Sequence, residues 1–560
     1  MSRRRPSRPS SAVKKTARNV SATGREPVGS CAAPVPASAP VPAFPSAAAP
    51  AAAGGQVMTF EQAMGLAIQH HQNHRLTEAE NIYRQILAAR PGFANARHLL
   101  GMIFYARDDL ETAEQLVISA LVLEPGLVDA FSNLGIILKK QGRIRDAITS
   151  YRRALSLRPD FVEGWCNLGN AYHLEKCIPE AIAAYKEAQR IRPEHRQTYI
   201  SLGILYRDEG YPDEGLAAFD RAVAMQPDDL GVRFDRALAL LVSGDLKRGF
   251  EEYELRWDQD HLKPHRKDFP QPLWQGQNPA GMTLLVHGEQ GFGDTLQFVR
   301  YIPLLAERGA KVLLAVQPQL DRVMKTLDGV SYLHPSGQVV PPFHMHTPLI
   351  SLPRIFGTTL ATIPRNVPYL KAEPELLARW GARLGPRDGR VRVGIAWAGV
   401  PTFKADGRRS PRLEPLLPLL EVPGVIFYSL QMGHGRKDLE GRRMPENFID
   451  LGDEITDFAD TAAIMSHVDV FISSCTGPAH LAGALGIPMW VMLYSAADWR
   501  WLYTREDSPW YPSARLFRQN PHGIGGWQPV VERVRAALTR LAAGDRSQLL
   551  PPPPEASVTR

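Results

Sequence analysis

The chain reads as an α-solenoid of paired helices followed by an α/β region with two parallel sheets. Three observations carry that reading. Proline recurs every 34 residues through the first half. Glycine, alanine and aromatic residues recur in phase with it. Beyond residue 281 the repeat stops, and short apolar runs alternate with helical stretches, the pattern of buried parallel strands with helical crossovers.

Length and charge set the bounds. The chain has 560 residues, enough for several domains. Its net charge is +7, and all of it lies in residues 1–58, which hold eight Lys and Arg against one Glu. The rest of the chain is neutral, so its folded part carries no electrostatic signal for nucleic acid. Residues 1–58 are also rich in Pro, Ala and Ser, too poor in large apolar side chains to bury a core, and read as a disordered basic tail. No apolar run reaches the length of a transmembrane helix, and no signal-peptide core follows the first arginines. The four cysteines, Cys31, Cys166, Cys177 and Cys475, form no CxxC pair and no metal-ligand spacing. A cytoplasmic location without metal or other cofactor is expected.

The repeats fall in register. Pro91, Pro125, Pro159, Pro193 and Pro227 mark one phase, and Gly101, Gly135, Gly169 and Gly203 another. Ala79, Ala113, Ala147 and Ala181 mark a third, and Tyr83, Tyr151, Tyr185, Phe219 and Tyr253 a fourth, with Val117 in the remaining slot. Small Gly and Ala let two helices approach, the aromatic fills the space above them, and proline ends each second helix because it has no N–H to donate. This period and pattern resemble the tetratricopeptide repeat (TPR) family. Residues 59–262 then hold about six helix pairs. The resemblance implies binding of polypeptide, with Asn133, Asn167 and Asn170 as exposed acceptor contacts on first helices. Tyr172 and Tyr206 are either groove contacts or core.

After a Pro-rich joint (263–281), apolar strands are expected at 283–287, 311–316, 391–399, 424–430, 468–474 and 488–494. Helices are expected at 294–308, 318–327 and 478–485, and a C-terminal helix over 533–544 packs back on this region. Two sets result, 282–372 and 388–545, with a linker between them and a tail over 546–560. The motifs GEQGFGDTLQFVRYIPLL (288–305) and SSCTGPAHLAGALGIPMWVMLY (473–494) resemble the heptosyltransferase-like glycosyltransferases. Together with the repeats they resemble bacterial TPR-containing glycosyltransferases, including those that modify flagellin, and in layout the O-GlcNAc transferases. The resemblance implies a GT-B fold of two Rossmann-like domains facing one cleft, with the second half binding the donor.

The candidate site residues follow from the chemistry of sugar transfer. Gly288, Gly291 and Gly293 let backbone approach a substrate. Asp294 starts the following helix; the resemblance implies that it is the general base for the acceptor hydroxyl, while Asp is also a preferred N-cap. Glu289 is the alternative base, and Gln290 and Gln297 are acceptor or sugar contacts. Thr476, Gly477 and His480 stand at a strand-to-helix turn, where free N–H groups and the helix dipole suit a diphosphate. Internal packing of His480 and simple capping by Thr476 are the competing readings. Lys404, Arg408 and Arg409 form either a cationic loop for the leaving phosphate or a solvated basic loop. Trp397 ends the first strand of the second half, and Gln431 sits where the resembled fold grips the base or ribose. Cys475 stands where relatives commonly carry Asp.

The expected function is metal-independent transfer of a sugar from a nucleotide-sugar to Ser or Thr of a protein held by the repeats. The resemblance implies inversion at the anomeric carbon, and it suggests flagellin as the acceptor. A glycan or lipid-linked acceptor is one alternative. A TPR adaptor with an inactive transferase region is another, and Cys475 favours it.

Overall fold

The computed structural model describes residues 58–401, 406–520 and 525–552. Two compact units divide them, one ending at Glu252 and the other beginning at Tyr253.

The first unit is helical. Its helices are α1 (Phe60–Gln72), α2 (Leu76–Ala89), α3 (Ala94–Ala106), α4 (Leu110–Leu123), α5 (Val128–Lys140) and α6 (Ile144–Leu157). They continue as α7 (Val162–Leu174), α8 (Ile178–Ile191), α9 (Arg196–Glu209), α10 (Pro212–Met225), α11 (Leu230–Ser243) and α12 (Leu246–Tyr253). Each in-phase proline falls two residues after the last residue of a second helix, where it blocks continuation. Within a pair, the aromatic of the second helix seats on the glycine of the first. A Cβ on Gly135 would lie 2.5 Å from the Tyr151 ring, on Gly169 2.6 Å from Tyr185, and on Gly203 2.7 Å from Phe219. Tyr83, Tyr151 and Phe219 are wholly buried, as is Val117, which meets Gly101 in the same way. Ion pairs tie the two helices of one repeat together, Arg158 with Asp129 at 2.9 Å and Arg192 with Glu163 at 3.1 Å, and join successive repeats, Arg196 with Asp229 at 2.7 Å.

The second unit contains β1 (Thr283–His287), α13 (Phe292–Phe298), α14 (Ile302–Glu307), β2 (Lys311–Ala315), α15 (Asp321–Met324), β3 (Val330–His334), β4 (Met345–Pro348) and α16 (Leu352–Ile355). Then come α17 (Pro374–Leu384), β5 (Val391–Ala396), α18 (Asp406–Arg409), β6 (Val425–Ser429), β7 (Phe448–Asp450) and α19 (Phe458–Met465). Last are β8 (Val470–Ser474), α20 (Gly477–Ala484), β9 (Met489–Leu493), β10 (Ala514–Arg518) and α21 (Gln528–Ala542). The strands build two sheets with orders β3-β2-β1-β4 and β10-β9-β8-β5-β6-β7, and every strand pair in them is parallel. The six-stranded order is that of a doubly wound dinucleotide-binding sheet, and the four-stranded order is its first four strands. Strands β5, β6, β8 and β9 are buried along their full length, as their unbroken apolar runs require.

Three details depart from the sequence expectations. The helix expected over 294–308 begins at Phe292 and is broken by a 3-10 turn at Val299–Tyr301, just before Pro303 opens α14. The stretch between the two halves holds α17, pinned by the buried Trp380, whose indole N–H donates to Asp460 at 2.9 Å. The Pro-rich joint lies along a sheet edge: Trp274 N–H donates to His346 C=O at 2.8 Å, and His346 N–H to Pro272 C=O at 3.1 Å. No helix among the described residues is long and apolar enough to cross a membrane.

The glycine notches give a direct test. Gly169→Ala drives a methyl into the buried Tyr185 ring and should lower stability by about 1–3 kcal/mol. Gly126→Ala, where a Cβ meets nothing within 4 Å, should leave the urea midpoint of the helical transition unchanged. Equal midpoints for the two variants would remove the notch from the account.

Candidate functional site

Parallel sheets of this order hold ligands outside the carboxyl ends of their strands, at the point where the strand order reverses. In the four-stranded sheet the reversal lies between β1 and β4, and the loop Gly288–Gly291 leaves β1 there. In the six-stranded sheet it lies between β5 and β8, and Cys475-Thr476-Gly477 leaves β8 there. The helices that follow, α13 and α20, pack on each other. A Cβ on Gly293 would lie 2.7 Å from the His480 ring, and one on Gly477 3.5 Å from Phe292. Gly293 is therefore required by the close approach of the two helices, while Gly477 sits at ordinary van der Waals distance. The tertiary structure thus brings the two Gly-rich turns together.

At their junction lies a buried charge cluster. Asp294 Oδ2 accepts the Gly291 N–H at 2.8 Å, capping α13. Its other oxygen accepts from Arg500 Nη2. Arg500 Nη1 donates to Asp498 Oδ1 at 2.8 Å, and the guanidinium lies over the Trp499 ring at 4.2 Å. Burial raises the Asp294 carboxyl above its ordinary range, and Asp498 adds to the rise while Arg500 opposes it. Asp498 titrates below its ordinary value; burial opposes this, and Arg500 outweighs it. A raised carboxyl is a stronger proton acceptor than an ordinary one, so the cap and base readings of Asp294 are compatible. Arg500 has no counterpart among the sequence candidates. The signal was the Asp498-Trp499-Arg500-Trp501 run, an arginine between two tryptophans.

Glu289 is only 6 % exposed and is engaged by Arg256: Nε lies 3.3 Å from Oε2, and Nη2 3.2 Å from both oxygens. The Ile350 N–H donates to it at 3.2 Å. Burial pushes this carboxyl up to about 7, with Arg256 pulling against it. As a base it is a paired, enclosed group, which corrects the expectation of a cleft carboxylate. Gln290 keeps partial exposure, its Nε2 lying 3.4 Å from the Tyr253 hydroxyl. Gln297 is wholly buried and both of its amide atoms lack partners among the described residues, so it makes no contact from an open cleft.

On the other turn, the Thr476 hydroxyl lies 3.1 Å from Ser473 Oγ and 3.3 Å from the Ser474 carbonyl. It makes no side-chain cap, and Gly477 opens α20. His480 packs internally. Its Nδ1 lies 2.9 Å from the Tyr511 hydroxyl, and its ring stacks on Trp501 at 5.4 Å. Burial lowers its pKa to about 3, so it offers a neutral ring and no positive charge. Cys475 Sγ accepts from the Trp501 indole N–H at 3.0 Å, and burial pushes the thiol up to about 11. It is a neutral, buried sulfur.

The remaining candidates divide by exposure. Arg408 is exposed, while Arg409 donates to Asp406 at 3.0 Å. Lys404 lies outside the described residues. Trp397 is fully buried in the core beneath the six-stranded sheet, with its indole N–H 3.1 Å from both Gly435 C=O and Asp438 Oδ2. Its ring therefore does not face a donor. Gln431 is consumed by backbone: Oε1 accepts from Trp397 N–H (2.8 Å) and Ala398 N–H (2.9 Å), and Nε2 donates to the Ala398 and Met432 carbonyls. It clasps two strand ends instead of a nucleoside. In the helical unit, Asn133, Asn167 and Asn170 are 6, 0 and 1 % exposed, which corrects their reading as exposed contacts. Asn170 accepts from the Tyr185 hydroxyl at 2.7 Å, and Asn133 Nδ2 lies 2.8 Å from His98 Nε2. First helices here are covered by both neighbouring helices, a fact that sequence spacing does not reveal. Tyr172 and Tyr206 are half-buried.

Two outcomes follow. Arg500→Met leaves the buried Asp294 carboxylate without its cation and should cost about 3–5 kcal/mol. Adding Asp294→Asn should recover part of that loss, and a double-mutant cycle by urea denaturation measures the coupling. Glu289 has a folded pKa above its unfolded value, so it stabilises fully below about pH 4.5, and this contribution is lost as pH rises towards about 7. The melting temperature should fall over that window, and Glu289→Gln should flatten the fall.

Comparison with known proteins bears on the first unit. The tetratricopeptide-repeat models match residues 65–126, 162–195 and 200–261, and a further TPR-repeat model matches 137–175. The chain is 29 % identical over 347 residues to Protein FlbA of Caulobacter vibrioides, covering 57 % of this chain. It thus spans about half, 56 %, of that relative's length. Among solved structures, MamA is similar at 22 % identity and TM-score 0.27, covering 29 % of this chain and 95 % of MamA. A thermophilic TPR protein of Thermus thermophilus is similar at 21 % identity and TM-score 0.30, covering 33 % of this chain and all of its own. YrrB, described as a TPR protein with an unusual peptide-binding site, is similar at 21 % identity and TM-score 0.26, covering 30 % of this chain and 88 % of its own. The helical unit of this chain is built of tetratricopeptide repeats.

Proposed function

We propose that the chain is a glycosyltransferase whose repeats recruit a polypeptide and whose second unit transfers a sugar to it from a nucleotide-sugar. One observation carries the reading. Both sheets have the strand order that creates a ligand crevice at a reversal point, and both Gly-rich turns sit at those points and pack together. The Gly477 N–H at the start of α20 suits a phosphate oxygen of the donor. Thr476 supplies a hydroxyl beside it. The exposed Arg408 offers a cation for charge that develops on the leaving phosphate. Asp294, with its raised carboxyl, takes the proton of the attacking Ser or Thr hydroxyl once Arg500 turns to the donor or acceptor. The two Rossmann-like halves would then be those of a GT-B enzyme, and flagellin is the acceptor the sequence motifs suggest.

A second reading has its own support. Asp294 and Glu289 are both engaged by arginines, and the sulfur of Cys475 is held by Trp501. These contacts favour a TPR adaptor whose second unit binds without turning over.

The test is a thermal-shift panel of the purified chain with UDP, GDP, ADP, CMP and their sugars. A nucleotide at 100 times its dissociation constant should add about 2.7 kcal/mol, and Thr476→Val should reduce the shift. The responding donor, incubated with flagellin, should add a hexose-sized mass increment to the acceptor by intact mass spectrometry. Asp294→Asn should abolish that increment while keeping the nucleotide shift. Nucleotide binding without transfer selects the adaptor, and no binding at all overturns both uses of the α20 turn.

A further inference from the structure

A separate cavity of about 270 Å³ opens beside the edge strand β4, where the Pro-rich joint runs along the sheet. It is lined by Lys267, Gln271, His287, His346 and Arg354, with Trp257 and Phe269 as apolar walls. None of these residues has a part in the site at α13 and α20. The size suits a small molecule of about one sugar ring, below the drug-sized range of about 300–1,000 Å³.

The polar groups around it are incompletely satisfied. His287 is 1 % exposed, and its Nδ1 has no partner among the described residues. Its Nε2 lies 3.3 Å from His346 Nδ1, and the two rings stack at 5.5 Å, so the unpartnered nitrogen is held in place. Phe269 packs against both rings. Gln271 Oε1 is also buried without a hydrogen bond among the described residues, while Arg354 Nε faces the Glu254 carboxylate at 4.0 Å. A buried polar atom left unpaired costs free energy, which a bound ligand recovers. Burial and the nearby Lys267 charge keep His287 neutral. Lys267 makes no ion pair with any described residue. Arg266, by contrast, is paired with Asp268 at 3.2 Å.

We propose that this cavity binds a small hydroxylated oxyanion, a sugar phosphate or a sugar acid. The anion pairs with Lys267, and the hydroxyls reach His287 Nδ1 and Gln271 Oε1. The aromatic walls suit the apolar face of a sugar ring. The unpaired cation selects an anion, and the unpaired acceptor on Gln271 selects a hydroxyl donor, so neither inorganic phosphate nor a neutral sugar alone satisfies the whole set. The proposal does not depend on the transferase reading.

The test is a thermal-shift titration of the full chain with glucose 6-phosphate and with glucuronate, at ionic strength held constant with sodium chloride. Inorganic phosphate and glucose are the half-ligand comparisons. A saturable rise with one charged sugar is expected, and which one responds identifies phosphate or carboxylate. Lys267→Met should weaken the apparent affinity about tenfold, the loss of one charge-assisted contact. Lys267 lies at the exposed rim, so this variant keeps its fold. Lys325→Met, on the exposed end of α15, should bind as the native chain does. No response to either charged sugar, or an equal response in Lys267→Met, overturns the proposal.

Discussion

The second unit depends on one buried guanidinium. Arg500 joins Asp294, at the start of α13, to Asp498, in the loop after β9. Taking three charged groups out of water is costly, and only close pairing with further hydrogen bonds offsets it. Both conditions are met, because the Gly291 N–H caps Asp294 and the Arg500 N–H binds Asp498 at 3.0 Å. Trp499 covers the guanidinium face. The pairing fixes the entry of α13 against the second sheet's loops. Gly293 then permits α13 to meet His480 on α20 without a side chain between them. A second buried arginine reinforces the same junction: Arg300 donates to the carbonyls of Gln297, Pro364 and Trp510 and to the Tyr369 hydroxyl.

This arrangement explains why the carboxylates near the Gly-rich turn are held and not free. A carboxylate in a closed site must be stabilised by a fixed partner or become neutral. Asp294 and Glu289 each have an arginine partner, and in each the raised pKa reflects burial more than charge pairing. The helical unit solves a different problem by simpler means. Three pairs place a large ring into a glycine notch, and surface ion pairs within and between repeats add modest register control.

The strands that sequence missed share a physical cause. Strand β3 is partly exposed through Ser331 and Tyr332, β7 has three residues, and β10 carries Arg515 and Arg518. Strand β4 holds a histidine and ends in a proline. Edge strands lack the unbroken apolar run that marks β5 or β8, and α17 was hidden in a stretch read as linker because its burial rests on Trp380 alone among its large side chains and on Leu376. Among site residues, Gln431 and Trp397 were placed correctly at strand ends, yet their hydrogen bonds turn inward. Arg256 carries no motif of its own, and the run around Arg500 does not show its partner, because Glu289 and Asp294 lie 33 and 206 residues away from them.

The sequence by itself determined the repeat unit. Its period of 34 residues is a local rule, in which each proline stops a helix and Gly135, Gly169 and Gly203 each answer an aromatic 16 residues on, with Val117 answering Gly101. It also determined the central strands and the two Gly-rich turns, since buried parallel strands need continuous apolar runs and tight turns need glycine. Only the tertiary structure decided what those turns face. Their juxtaposition, the pairing of Asp294 with Arg500, the enclosure of His480 by Trp501 and Tyr511, and the burial of Asn133, Asn167 and Asn170 all arise from contacts between distant segments. Whether a polar side chain meets solvent or another buried group is set by what packs over it, and local spacing carries no record of that.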